Sequence, residues 1–178
     1  MIAAIDRAVL LHNRQTPRTL QLASVIMTSL SNDRGKLLQI STGEGKSTTT
    51  AMFAAFQALR SKNVDVITSS SVLAKRDAKE WCSFYDILGL SSAHNISEGK
   101  VTGLKECYGK NIVYGDALHF QSDTLREEYK MFGTKGGRDF KNSVALIDEV
   151  DSMLIDESGK IAKLVTPIPS MEYLAPLW

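Results

Sequence analysis

The sequence predicts an α/β domain of three layers, a mainly parallel sheet with helices on both faces. Three observations lead there. Short apolar or β-branched runs alternate with amphipathic segments along the chain. One run passes through a glycine-rich turn into a helix, as a phosphate-binding loop (P-loop) requires. A later run ends in two adjacent acids. The 178 residues suffice for one ordinary domain. At 43% apolar and 23% charged they can bury a core and stay soluble.

In order, Ile2–His12 reads as a helix, with Ile2, Ile5, Val9 and Leu10 on one face. Thr16 and Pro17 predict the start of a second helix that buries Leu20, Leu22, Val25, Ile26 and Leu30. Lys36–Ile40 is a short apolar strand, Thr42–Gly45 a turn, and Lys46 to about Arg60 a helix. Val64–Thr68 is strand-like, Ser71–Tyr85 helical, and Leu90–His94 a further short strand. Asn111–Gly115 is a strand and Ala117–Met131 a helix. Gly133–Gly137 is expected to be an exposed, flexible loop. Ser143–Asp148 is an apolar strand running into acid, with a short helix over Val150–Ile155. The tail from Val165, with Pro167, Pro169 and Pro176, should be irregular. The expected organisation is one domain over 1–178: an N-terminal helix in 1–15, a motif-bearing core in 16–157 and a tail in 158–178.

Charge and composition exclude several classes. With 21 basic and 20 acidic residues the net charge is +1, so no strong basic field calls for nucleic acid or acidic lipid. The longest uncharged runs, Thr19–Asn32 and Ser47–Leu59, fall short of the roughly 20 apolar residues of a bilayer span. No basic region precedes the first apolar run, which Asp6 and Arg7 interrupt, so no signal peptide is expected. Cys82 and Cys107 stand apart and read as reduced structural thiols rather than a zinc site. A cytoplasmic protein is the expectation, with peripheral contact to a membrane left open.

The chemistry concentrates in two segments. Thr42-Gly43-Glu44-Gly45-Lys46-Ser47 lies between a predicted strand and a helix. Its glycines let backbone N–H groups face a phosphate, and the helix N-terminus adds a positive dipole. Lys46 reaches the β- and γ-phosphates, the Ser47 hydroxyl ligates Mg²⁺, and Thr48 continues the first helical turn beside them. The first glycine of the longer pattern is replaced by Ile40. The alternative is a glycine-rich turn with a capping serine. The second segment is Val144-Ala145-Leu146-Ile147-Asp148-Glu149. Asp148 suits a hydrated metal and Glu149 the polarisation of an attacking water, against the alternative of a solvated acidic turn. A third candidate, Gln21, carries an amide able to pair with adenine N6 and N7; alone it reads as a surface glutamine.

These segments resemble the first nucleotide-binding domain of the SecA family, the motor ATPases of preprotein translocation. The T-G-E-G-K-T of that family stands here as Thr42–Ser47, and its D-E-V-D-S-I-L-I-D-E as Asp148–Glu157 with Met153 for isoleucine. Its Y-L-A-R-R-D-A-E-W is matched by Val72–Trp81 with one extra residue, and its P-R-x-x-Q-L by Pro17–Leu22. The resemblance covers Thr16 to Glu157. It implies a RecA-like fold, ATP and Mg²⁺ as cofactors, Gln21 as an adenine reader, and coupling roles for Arg76 and Asp77. It also implies unfolded preprotein, a translocon and further SecA-type domains as partners, and no specific nucleic acid. A nucleic-acid helicase fragment and a nucleotide-gated binding module without turnover are the competing readings.

The sequence also departs from the family. Where the family has Y-G-T-N-N-E-F-G-F-D-Y-L-R-D, Tyr114–Glu127 keeps Tyr114, Gly115, Phe120, Asp123, Leu125 and Arg126 but lacks the threonine and both asparagines. The trans-site arginine of the family belongs to a second nucleotide-binding domain. Arg76, Arg126 and Arg138 are the substitutes to consider within these residues, and hydrolysis is expected to be slow.

Overall fold

A computed structural model describes residues 1–29, 35–41, 43–97, 103–138 and 142–153. The elements are α1 (Ile2–Asn13), α2 (Thr19–Ser29), α3 (Lys46–Leu59), β1 (Asn63–Thr68), α4 (Ser71–Ile87), β2 (Ser92–His94), a 3₁₀ turn (Glu106–Gly109), β3 (Ile112–Asp116), α5 (Ala117–Lys130) and β4 (Ser143–Ile147). The four strands form one sheet in the order β2-β3-β1-β4, and every pairing is parallel. Parallel neighbours need crossover connections, and helices supply them. The layered α/β architecture is therefore the one expected.

Alternation along the strands sorts the two faces. Val64, Val66, Ile112 and Tyr114 point into a core built with α1, α2, α3 and α4. Val113 points the other way, with Tyr108 and Phe120, and Ile67 packs beside them. Helix α3 lies close because its inner face is Ala51, Ala54, Ala55 and Ala58. Helix α4 is capped by the Ser70 hydroxyl, which accepts from Leu73 N, and buries Ala74, Ala78, Trp81, Phe84 and Tyr85. Helix α5 starts where the Asp116 carboxylate accepts from His119 N at 2.7 Å.

The second face is held by charge as much as by apolar contact. Lys105 Nζ meets Asp123 Oδ2 at 2.7 Å with both side chains buried. Tyr108 donates to the same oxygen, and Arg126 meets Oδ1 at 3.0 Å. Burial holds the Tyr108 hydroxyl far above the usual phenol range. Arg138, only 3% exposed in its side chain, pairs with Asp65 at 2.9 Å and donates to the carbonyls of Val64, Tyr108 and Lys110.

Three expectations are corrected. Lys36–Ile40 is not a strand: it is irregular, and Leu37 is 82% exposed. A strand exists through its ladder, and among the described residues β4 pairs with β1 alone, leaving 36–40 without a partner. Helix α2 begins at Thr19, so Thr16 and Pro17 do not open it; Pro17 is buried in the preceding segment instead. The segment 133–137 is no loose loop. Thr134 and Lys135 are buried, Lys105 N donates to Thr134 O, Lys135 N donates to Glu127, and Lys135 Nζ donates to Thr124. Glycines at positive φ turn the chain there, at Gly133, Gly136 and Gly137. A helical turn begins at Val150, while the rest of the predicted short helix and the tail lie outside the described residues.

Removing one member of a buried ion pair strands the other. Asp123→Ala should lose about 3–5 kcal/mol of unfolding free energy. The triple replacement Lys105→Met, Tyr108→Phe and Asp123→Leu, which removes the two buried donors together with their shared acceptor, should lose clearly less. Urea denaturation of the variants checks both.

Candidate functional site

Gln21, the described part of the glycine loop and the acidic pair gather at the carboxyl end of the sheet, where open α/β sheets bind ligands. Helix α3 opens at Lys46, with Gly45 as its N-cap at φ +76° and Gly43 at φ +87°. Both conformations favour glycine, and they turn the loop around the helix N-terminus. Gly43 and Ser47 reach solvent, while Glu44, Gly45, Lys46 and Thr48 are half-buried. Thr42 lies outside the described residues.

Helix α2 grips this loop. Gln21 is buried, and its Nε2 donates to Glu44 O at 2.9 Å and Gly45 O at 3.2 Å. Its Oε1 accepts from Arg18 N at 2.9 Å. The amide is thus fully engaged by backbone, and reading adenine would require it to exchange these bonds. Arg18 adds an ion pair to Glu44 at 2.9 Å. Sequence reasoning did not assign Arg18 to the site; its charge opposite Glu44 is a tertiary contact with no local signature.

The acidic pair follows β4. Asp148 N donates to Ile67 O at 2.9 Å, carrying the sheet ladder one residue past the strand. Asp148 Oδ1 accepts from Glu149 N, and Glu149, at φ +55°, turns its carboxylate outward to accept from Ser69 Oγ at 2.6 Å. Burial pushes the Asp148 carboxyl above the ordinary aspartate range, Glu149 and Asp77 add to the rise, and Lys46 opposes it. Ser47 and Asp148 line one small pocket with Thr50, Asp77, Trp81 and Tyr114. The loop and the acids therefore share a site. Asp77 and Trp81 come from α4, and Arg76 pairs with Asp77 at 2.7 Å.

The donor set suits a phosphate and a hydrated Mg²⁺: backbone N–H groups at a helix N-terminus, a lysine, a hydroxyl and a half-buried carboxylate. Arg138 is excluded as an in-chain catalytic arginine. It is bound to Val64 O and Asn111 O, at the amino ends of β1 and β3, opposite the site. Arg126 is committed to buried Asp123.

The SecA DEAD-like domain family matches residues 2–168 of this chain. The chain belongs to that family. Its SecA relatives include the protein translocase subunits SecA of Polynucleobacter asymbioticus, 35% identical over 139 residues, and Methylobacillus flagellatus, 39% identical over 125 residues. The alignments cover 75% and 70% of this chain and 14% of each relative. The SecA subunit of Nitratidesulfovibrio vulgaris is 37% identical over 130 residues, covering 70% of the chain and 15% of that protein. The chain thus spans a small part of the length of the SecA proteins it matches. No described helix is long and apolar enough to cross a membrane.

Two outcomes follow from this geometry. A Cβ on Gly45 would stand 2.3 Å from Gln21 Nε2 in addition to its unfavourable φ. Gly45→Ala should cost on the order of 1–3 kcal/mol, and in a Gln21→Ala background only the backbone part should remain, as a double-mutant cycle by denaturation would read. Asp148 titrates higher in the folded than in the unfolded chain, so its ionised form costs stability above the raised pKa and the cost fades as pH falls through it. Asp148→Asn should raise the Tm of the ligand-free chain at neutral pH, with the gain vanishing on acidification.

Proposed function

We propose that this SecA-like domain binds ATP with Mg²⁺ and serves protein translocation as a motor-ATPase domain. One observation carries the reading: Ser47, opening α3 after the glycine turn, and Asp148, ending β4, line the same pocket. A glycine-rich turn and an acidic turn unrelated in function would have no reason to converge there.

In this reading, the N–H groups of Gly43–Ser47 and the ammonium of Lys46 hold the β- and γ-phosphates, and Thr42, Glu44 and Thr48 complete the loop. Ser47 and Asp148 hold the hydrated cation, which neutralises phosphate charge when bound. Glu149 orients water, its carboxylate steadied by Ser69. Gln21 first fixes the loop, and it selects adenine if the base draws its amide from the loop carbonyls. Unfolded preprotein, a translocon and further SecA-type domains are the partners that the SecA relatives suggest, at a peripheral, cytoplasmic position.

Turnover is the weak step. Hydrolysis is accelerated roughly 10³–10⁵-fold by an arginine that meets the transition state. Arg126 and Arg138 are held elsewhere, and Arg76 is paired with Asp77. The 178-residue chain should bind ATP and hydrolyse it very slowly.

Lys46→Ala removes charge-assisted contacts and should weaken ATP binding about tenfold or more by calorimetry. Unchanged affinity would refute the phosphate-loop assignment. Glu149→Gln should leave affinity nearly intact and abolish residual phosphate release. Rapid release by the wild type that the Lys46→Ala chain lacks would disprove the argument about the arginine. Stimulation by unfolded polypeptide, and not by single-stranded RNA, is the expected partner response.

A further inference from the structure

The pocket beneath the phosphate loop is lined in part by Trp81, a residue whose donor the nucleotide reading leaves unused. Trp81 is 2% exposed, and its indole Nε1–H has no hydrogen-bond partner among the described residues. Buried N–H groups are nearly always satisfied, by protein or by water. The ring cannot swing away to find a partner. It is packed against His12 of α1, with centroids 5.1 Å apart, and edge-on to Phe84 at 5.6 Å. The pocket it lines has room for about one water molecule, and Ser47, Thr68, Asp77 and Asp148 set polar groups among its apolar walls, the partners an ordered water needs.

The chemistry of the lining says what such a water would do. An indole N–H only donates, so it can neither ligate a cation nor approach one favourably. Asp77 and Asp148 line the same pocket and only accept when ionised. A water accepting from Trp81 keeps both its protons for two carboxylates. Arg76 holds Asp77 from the outside, through Oδ1. On the pocket side the two acids share no fixed donor among the described residues, and two like charges lining so small a space call for one.

We propose that Trp81 is a positioning residue of the metal–nucleotide site: its Nε1–H anchors a buried water that donates to Asp77 and Asp148 and so orients Asp148 toward a hydrated divalent cation. This rests on the ATP–Mg²⁺ reading above. It gives α4, and through His12 also α1, a direct hold on the cation side of the site. The phosphate side is held separately, by α2.

The test uses the 178-residue chain, wild type and Trp81→Phe, which keeps most of the ring packing and removes the N–H. ATP is titrated calorimetrically with excess Mg²⁺ and again with EDTA. Trp81→Phe should match the wild type without metal and bind about tenfold more weakly with Mg²⁺, a difference of about 1.4 kcal/mol. Equal losses in both buffers would indicate general loosening and overturn the proposal, as would no loss in either. If Trp81→Phe does not fold, the ¹⁵N-tryptophan-labelled Trp178→Phe chain decides. Its single indole proton should show a cross-peak to a long-lived water and shift on addition of Mg·ATP; absence of both overturns the proposal. A wild type that binds no ATP in either buffer refutes the underlying reading, an outcome distinct from a wild type that binds Mg·ATP and a variant that equals it.

Discussion

The parallel pairing of β1 between β3 and β4 is the constraint on which the rest depends. Val64 lies opposite Ile112 on one side and Val144 on the other, and Ile67 lies opposite Gly115 and Ile147. The strands run the same way and end level, so the residues that follow them come out on one line. Asp148 is fixed by that ladder, since its N–H still bonds to Ile67 O. The helix before β1 brings Lys46 and Ser47 to the same end, and the helix after it brings Asp77 and Trp81. A one-residue slip of β4 would turn its side chains to the opposite faces and move Asp148 off the pocket.

Much of this was legible because the signals were local. The β-branched run of β1, the apolar period of α4 and the acid-terminated run of β4 each carry their own periodicity, and the observed elements fall within a residue or two of those expected. The glycine turn before α3 was legible for the same reason: positive φ at Gly43 and Gly45 is a backbone demand that leaves its mark in residue type. What sequence could not give were contacts between distant positions. Gln21 read as an exposed amide, yet it is buried on the loop. Trp81 packs on α4 like a core residue, and only its orphaned N–H distinguishes it from core.

Charged residues misled in a consistent way. Lys105, Asp123, Lys135 and Arg138 would be assigned to the surface by type, and the structure buries them on the α5 face. Apolar packing is directional only through shape, whereas an ion pair with further hydrogen bonds fixes one arrangement. On this face few strand side chains face inward, and Tyr108, Val113 and Phe120 make up its small apolar cluster. The ion pairs supply the registry that this cluster is too small to impose. The failure at Lys36–Ile40 is of another kind. Its apolar pattern was strand-like, but pattern does not supply a neighbour, and β4 offers an edge that the described part of the segment does not reach.

The grip of α2 on the phosphate loop has a further physical consequence. A loop that receives an anion must present N–H groups and turn its carbonyls away, because carbonyl oxygens repel phosphate. In this chain the carbonyls of Glu44 and Gly45 are both occupied by the Gln21 amide, and the Arg18 guanidinium sits near that of Gly43. The Glu44 carboxylate, an awkward charge beside a triphosphate, is answered by Arg18. The polarity of the loop is thereby set before any ligand arrives, and less reorganisation remains to be met by binding. A segment that precedes the loop by some twenty residues is therefore part of the site in an electrostatic sense, even where it touches no phosphate. The same account explains why an amide serves at position 21. A carboxylate there would lack donors for the loop carbonyls, a lysine would lack the acceptor for Arg18 N, and glutamine supplies both on one rigid plane.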